Sequence, residues 1–194
     1  MFRTIYSVLD GAAPLPYSRD VADPARLPFE RLSGGERFAF YAWGPLFISL
    51  NGVQASDEYF EGFDRALDMH LGREHSSVWM YAIHRIERVT SQPTAGARSR
   101  STELLKRVEP FLEANAMVFD VRGMTGAIIR TFVSGVFLLA RSRVPSKVCD
   151  DPVEGAAWLR DVDPAPPGFA ENFDAFRDTV LAEAEALLGP SPRS

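Results

Sequence analysis

Between Ala116 and Leu159 the chain reads Ala-Met-Val-Phe-Asp-Val-Arg-Gly, then an apolar stretch to Ala140, then Ser-Lys-Val-Cys-Asp-Asp and Val-Glu-Gly-Ala-Ala-Trp-Leu. Hydrophobic runs of these lengths, bounded by acidic and glycine-bearing turns, spell strand, buried helix, strand, helix. Parallel strands in one sheet need a crossover of this kind, so the succession assigns the chain to the α/β class.

Upstream, Arg37 to Trp43 and Leu46 to Val53 are rich in aromatic and β-branched residues and flank Gly44-Pro45. That pattern predicts an antiparallel hairpin opening the sheet. Ser56 is placed to cap a helix with Asp57 and Glu58 in its first turn, and Tyr59, Phe60, Phe63, Leu67 and Leu71 recur at helical spacing up to Gly72. Val78 to Ile86 reads as a third strand. A second helix is expected to start at Ser101 or Thr102, carry Leu104, Leu105, Val108, Phe111 and Leu112, and be kinked or ended by Pro110. Counting the strands on either side of the buried helix, the sheet is mixed and has about five strands. Residues 1–35, with four prolines after position 13 and Ser33-Gly34-Gly35 at the end, read as an irregular N-terminal arm. Residues 36–162 form the α/β domain. Residues 163–194 form a proline-rich joint and an amphipathic helix whose apolar stripe is Phe169, Phe173, Phe176, Val180, Ala184, Leu187 and Leu188. That helix is expected to pack on its own domain, with a second copy or a partner as the alternative.

The 194 residues are 46% hydrophobic and 24% charged, the profile of a globular protein with one substantial core. Cys149 is the single cysteine, which excludes an intramolecular disulfide and fits a reducing, cytoplasmic setting. The N-terminal segment is interrupted by Tyr6, Ser7 and Asp10 and is expected not to act as a secretory signal. The longest apolar run, Ala127 to Ala140, is shorter than the roughly 18 to 20 residues of a membrane span and contains Arg130. It is expected to be a core helix. A net charge of −5 argues against nonspecific nucleic-acid binding. Between Arg85 and Lys147 there are eleven basic and five acidic residues, whereas Asp150 to Glu185 holds ten acids and two arginines. The acidic tail is therefore expected to fold back over the basic middle.

The order of two strands, helix, strand, helix, strand, helix, strand, helix resembles that of STAS-like domains related to bacterial anti-sigma-factor antagonists. The ending Val148-Cys149-Asp150-Asp151, followed by Val153-Glu154-Gly155-Ala156-Ala157-Trp158-Leu159, is similar to the close of many such domains, and the resemblance covers roughly residues 36–160. It implies a STAS-like fold and a non-enzymatic protein-interaction or regulatory module, with another protein or a second copy as partner. In some related domains a small ligand is bound instead. The family's phosphorylatable serine lies in an Asp-Ser-Ser-Gly-like turn between the third strand and the second helix. This chain has no literal copy of that turn, and the hydroxyls in the same connection, Thr90, Ser91, Ser99 and Ser101, are the candidate modification sites.

Two other function classes have sequence support. Arg122, Gly123, Thr125 and Gly126 follow a strand and precede a helix, where free amides and close-approach glycines can hold an anion. Together with an abundance of aromatic residues this motivates a carrier or sensor of a small apolar or anionic ligand. An enzyme would draw on His84, Asp120, Arg122 and Thr125, with His84 as an acid-base group if it stood beside Asp120. No nucleophile-base pair is recognisable. Ser134-Gly135 lies in the apolar run without the strand-turn-helix elbow of a hydrolase. His70, Glu74 and His75 straddle a helix end and lack the same-face spacing of a metal motif, so neither metal nor cofactor is expected. Cys149 reads as an inert core thiol, and Arg141, Arg143 and Lys147 as charges that complement the end of the preceding helix.

Overall fold

The computed structural model describes residues 29–53, 56–73, 77–86, 95–121 and 144–192. They form one six-stranded mixed sheet in sequential order: β1 (Phe29–Gly34), β2 (Phe38–Trp43), β3 (Leu46–Asn51), β4 (Val78–His84), β5 (Leu112–Phe119) and β6 (Ser146–Cys149). β1, β2 and β3 are antiparallel, and β3 to β6 run parallel. Gly44 takes the positive φ of 55° that the two-residue link between Trp43 and Leu46 requires.

Four α-helices among the described residues lie on the two faces: α1 (Asp57–Leu71), α2 (Ala95–Val108), α3 (Pro152–Asp161) and α4 (Phe173–Leu188). Every residue of β2 and β3 is buried, as is β4 up to Ile83, so both faces of the central strands must be covered. Alternation divides their side chains between two cores. Phe38, Phe40, Ala42, Phe47, Val78 and Met80 meet Phe60, Phe63 and Leu67 of α1 and Val108 of α2. Tyr41, Trp43, Leu46, Ile48, Leu50, Tyr81 and Ile83 belong to the second core, with Leu159 of α3 and Phe176, Val180, Ala184 and Leu188 of α4.

The local signals explain the helix starts. Ser56 Oγ accepts from the Tyr59 amide, and Asp151 caps α3 by accepting from the Val153 and Glu154 amides while Pro152 fills the first helical position. Gly155 lets α3 approach β5, because a Cβ there would stand 2.8 Å from Val118 Cγ2. Phe169, in the turn before α4, meets Trp43 edge-on, and Trp43 also lies 4.9 Å from Phe176. The terminal helix thus packs on its own sheet.

Two expectations need correction, and a third is met in part. The sheet has six strands rather than about five, because Phe29–Gly34, read as part of the irregular arm, pairs antiparallel with β2. The second helix begins at Ala95, not at Ser101 or Thr102, and ends at Val108; Pro110 sits in a single 3₁₀ turn, Glu109–Phe111, that delivers the chain into β5 at Leu112. The fold-back expected of the acidic tail over the basic middle is not seen at α2, where α3 and α4 occupy the opposite face and Arg107 is held by Asp64 and Asp68 of α1; Arg88 and Arg122 of the basic middle lie outside the described residues. Lys147 does meet the tail, 2.9 Å from Glu154. Ala127–Ala140, with Arg130 and Ser134, lies outside the described residues, as do Arg141 and Arg143. Among the described residues no helix is long and apolar enough to cross a membrane.

Because Phe176 is fully enclosed between Trp43, Tyr81 and Phe169, replacing it with alanine is expected to cost about 3–5 kcal/mol. Urea unfolding of Phe176→Ala measures the loss, and a variant as stable as the parent would contradict this packing.

Candidate functional site

The carboxyl ends of the parallel strands, where ligands bind in open α/β sheets, bring Asn51 of β3, His84 and Arg85 at the end of β4, and Phe119 and Asp120 at the end of β5 to one edge. Alternation separates consecutive residues. His84 shares its face with Met80 and therefore turns toward the α1/α2 layer, whereas Arg85 and Asp120 turn toward α3 and α4.

On the α3/α4 side, Arg85 Nε donates to Asp120 Oδ2 at 2.8 Å, with both side chains almost fully buried. The same guanidinium donates to the Gly189 carbonyl, and Ser191 Oγ donates to Asp120 Oδ1 at 3.2 Å. The pair thereby fastens the segment after α4 to the ends of β4 and β5. A buried pair of this kind is costly to halve, since the survivor is an uncompensated charge.

On the other side, Asn51 Oδ1 accepts from the Val53 amide at 3.0 Å, which turns its Nδ2 toward His84 Nδ1 at 3.4 Å. Nδ1 is then the acceptor and the imidazole proton resides on Nε2. Phe119 stacks on the ring at 4.9 Å with planes 12° apart, fixing its orientation. The residue is partly exposed as a whole, yet Nε2 is buried and has no hydrogen-bond partner among the described residues. Burial pushes the imidazole down to about 4. It is neutral at pH 7, and an unmatched buried donor of this sort costs about 1–3 kcal/mol.

Other reactive groups are engaged structurally. Burial, reinforced by Glu154, pushes the Cys149 thiol up to about 11, which fits an inert thiol. Tyr81 donates to the Pro152 carbonyl at 2.6 Å, and Tyr41 donates to Glu183 at 3.0 Å. Among the described residues no group of His, Cys, Asp and Glu is arranged to hold a metal ion.

Of the candidate modification sites, Ser99 is exposed on α2 with its hydroxyl donating to Glu103 at 3.3 Å, and Ser101 is half-buried on the same helix. Thr90 and Ser91 lie outside the described residues, as do Arg122, Gly123, Thr125 and Gly126. Beside Ser99, Asp64 of α1 and Arg100, Glu103, Leu104 and Arg107 of α2 line an open groove of about 250 Å³. The acid-base arrangement envisaged for His84 and Asp120 is not formed, because the two side chains occupy opposite faces of the sheet. The Arg85–Asp120 pair and the Asn51–His84 contact were not anticipated, and both depend on strand register rather than on local sequence.

The fold and this edge define an α/β protein with a mixed sheet clad on both faces. No protein-family model, curated protein or solved structure matches the chain.

Two outcomes follow for this edge. Asp120→Ala should lower the unfolding free energy by about 3–5 kcal/mol, while Arg85→Met combined with Asp120→Leu should cost clearly less than the two single losses together, as measured by urea titration. His84 has its ordinary value of 6.5 when unfolded and about 4 when folded, so the unfolded chain binds the extra proton between those values. Stability is therefore full above pH ~6.5 and falls with acidification toward pH ~4, by roughly 3 kcal/mol in the limit. In His84→Phe that part of the pH dependence should vanish from the urea midpoints.

Proposed function

We propose that the protein is a STAS-like interaction or regulatory module that works without catalysis and recognises another protein, or a second copy of itself, through the exposed face of α2. The observation that carries this reading is the outward display of Ser99, Arg100, Thr102, Glu103 and Arg107 on the helix joining β4 to β5, beside the groove shared with Asp64. This is the connection in which STAS-like domains carry their regulatory hydroxyl, and Ser99 is solvent-accessible there. The engagement of Arg85, Asp120, Tyr41, Tyr81 and Cys149 in structural contacts supports the non-catalytic reading. Phosphorylation of Ser99 would set a dianion beside Arg100 and Glu103, changing the charge of the displayed face where a partner reads it.

The test is site-specific photo-crosslinking in the cells that make the protein. A photoreactive residue at Thr102 on α2 is compared with one at Thr179, exposed on α4. The expected result is a discrete protein adduct from position 102 that is weakened at least tenfold by Arg100→Glu, with none from position 179. Equal adducts from both positions, or none from position 102, would overturn the proposal.

A further inference from the structure

The last described residues cross the carboxyl ends of three parallel strands in turn. Leu188, at the end of α4, lies against Gly52 just after β3, where a Cβ would stand 3.0 Å from Leu188 Cδ2. The next carbonyl, that of Gly189, accepts from Arg85 just after β4, and Ser191 Oγ donates to Asp120 Oδ1 just after β5 at 3.2 Å. Gly189 makes the turn off the helix possible: its φ of 84° and ψ of 176° are open to glycine and strained for other residues, and its amide still closes α4 on Glu185.

The site beneath this strap is built from buried groups. Arg85 and Asp120 are 6% and 1% exposed and joined at 2.8 Å, so their charges cancel and an occupant of the edge need carry no charge. The strap gives the pair one acceptor, at Arg85, and two residues further on one donor, at Asp120. Anything taking its place has to offer the same two groups. Pro190 is exposed and Gly189 and Ser191 are half-buried, so the strap lies at the surface, and the space a ligand needs is the space the strap vacates. Pro190 and Pro192 have no N–H to pair, and they bias the segment toward an extended form that loses little freedom on docking.

We propose that this edge is a peptide-binding site that the chain's own strap, Gly189–Pro192, keeps shut, and that an extended partner segment offering a carbonyl, a proline and a serine or threonine hydroxyl in that order displaces it. Gly189 is the hinge, and α4 with Leu188 stays on the sheet. The site is separate from the α2 display, which belongs to the other helical layer, so the crosslinking outcome at Thr102 leaves it untouched.

The experiment is an NMR titration of the full chain labelled with ¹⁵N in arginine, followed at the Arg85 Nε–H. The probes are acetyl-Gly-Pro-Ser-Pro-amide, which reproduces the strap, and acetyl-Gly-Pro-Ala-Pro-amide, which lacks the hydroxyl. The parent chain is compared with Ser191→Ala, whose strap loses its bond to Asp120 and is open more of the time. Apparent affinity scales with the open fraction, so the serine peptide should bind Ser191→Ala roughly fivefold more tightly than it binds the parent, and the alanine peptide should bind that variant roughly fivefold more weakly than the serine peptide does. A folded Ser191→Ala chain with no saturable Arg85 shift, equal affinities of parent and variant, or equal affinities of the two peptides would each overturn the proposal.

Discussion

The fold depends on the burial of β2, β3 and β4 on both faces. A sheet whose central strands alternate Phe38, Phe40, Ala42 against Ala39, Tyr41, Trp43 has no polar side to give to water. Each face needs its own helical layer, and the chain supplies them in succession: α1 and α2 from the connections between parallel strands, then α3 and α4 after β6. The C-terminal helix is thus a structural layer. Its removal would uncover Tyr41, Trp43, Ile48 and Leu50, an apolar surface of the kind that aggregates.

The same alternation divides the candidate site. At the carboxyl edge His84 and Arg85 are neighbours in sequence and opposites in environment: one neutral, stacked and without an Nε2 acceptor among the described residues, the other charged and clamped to Asp120 and to the segment after α4. A charged pair on one face and a neutral donor on the other cannot act as a catalytic unit across the sheet. Arg85 and Asp120 fasten the segment after α4 to the ends of β4 and β5.

Much of this architecture was legible in the sequence wherever local chemistry dictates local structure. Gly44-Pro45 marked the hairpin, Ser56 marked a helix start, and the stripe from Phe169 to Leu188 marked a helix with one apolar side. β1 was hidden because an edge strand need bury little: Glu30 and Arg31 are exposed, and a register shift between Arg31 and Ser33 breaks the alternation. The start of α2 was hidden because its first two turns, Ala95 to Thr102, carry no large apolar residue and begin Ala-Gly. β5 was shortened in the reading because Glu113 and Asn115 interrupt its apolar run. The buried pair was invisible for a different reason: its partners are 35 residues apart, and only the pairing of β4 with β5 brings them together.

The central claim is that α4 and the sheet beneath it form one cooperative core. Native-state hydrogen exchange on the full chain tests it directly, by comparing the amides of α4 from Phe176 to Leu188 with those of β3. The account predicts that the most protected amides in both elements exchange with the same free energy, that of global unfolding, and respond alike to denaturant. Exchange of α4 well ahead of β3, with β3 protection unchanged, would mean that the helix leaves the sheet while the rest stays folded, and would contradict the account.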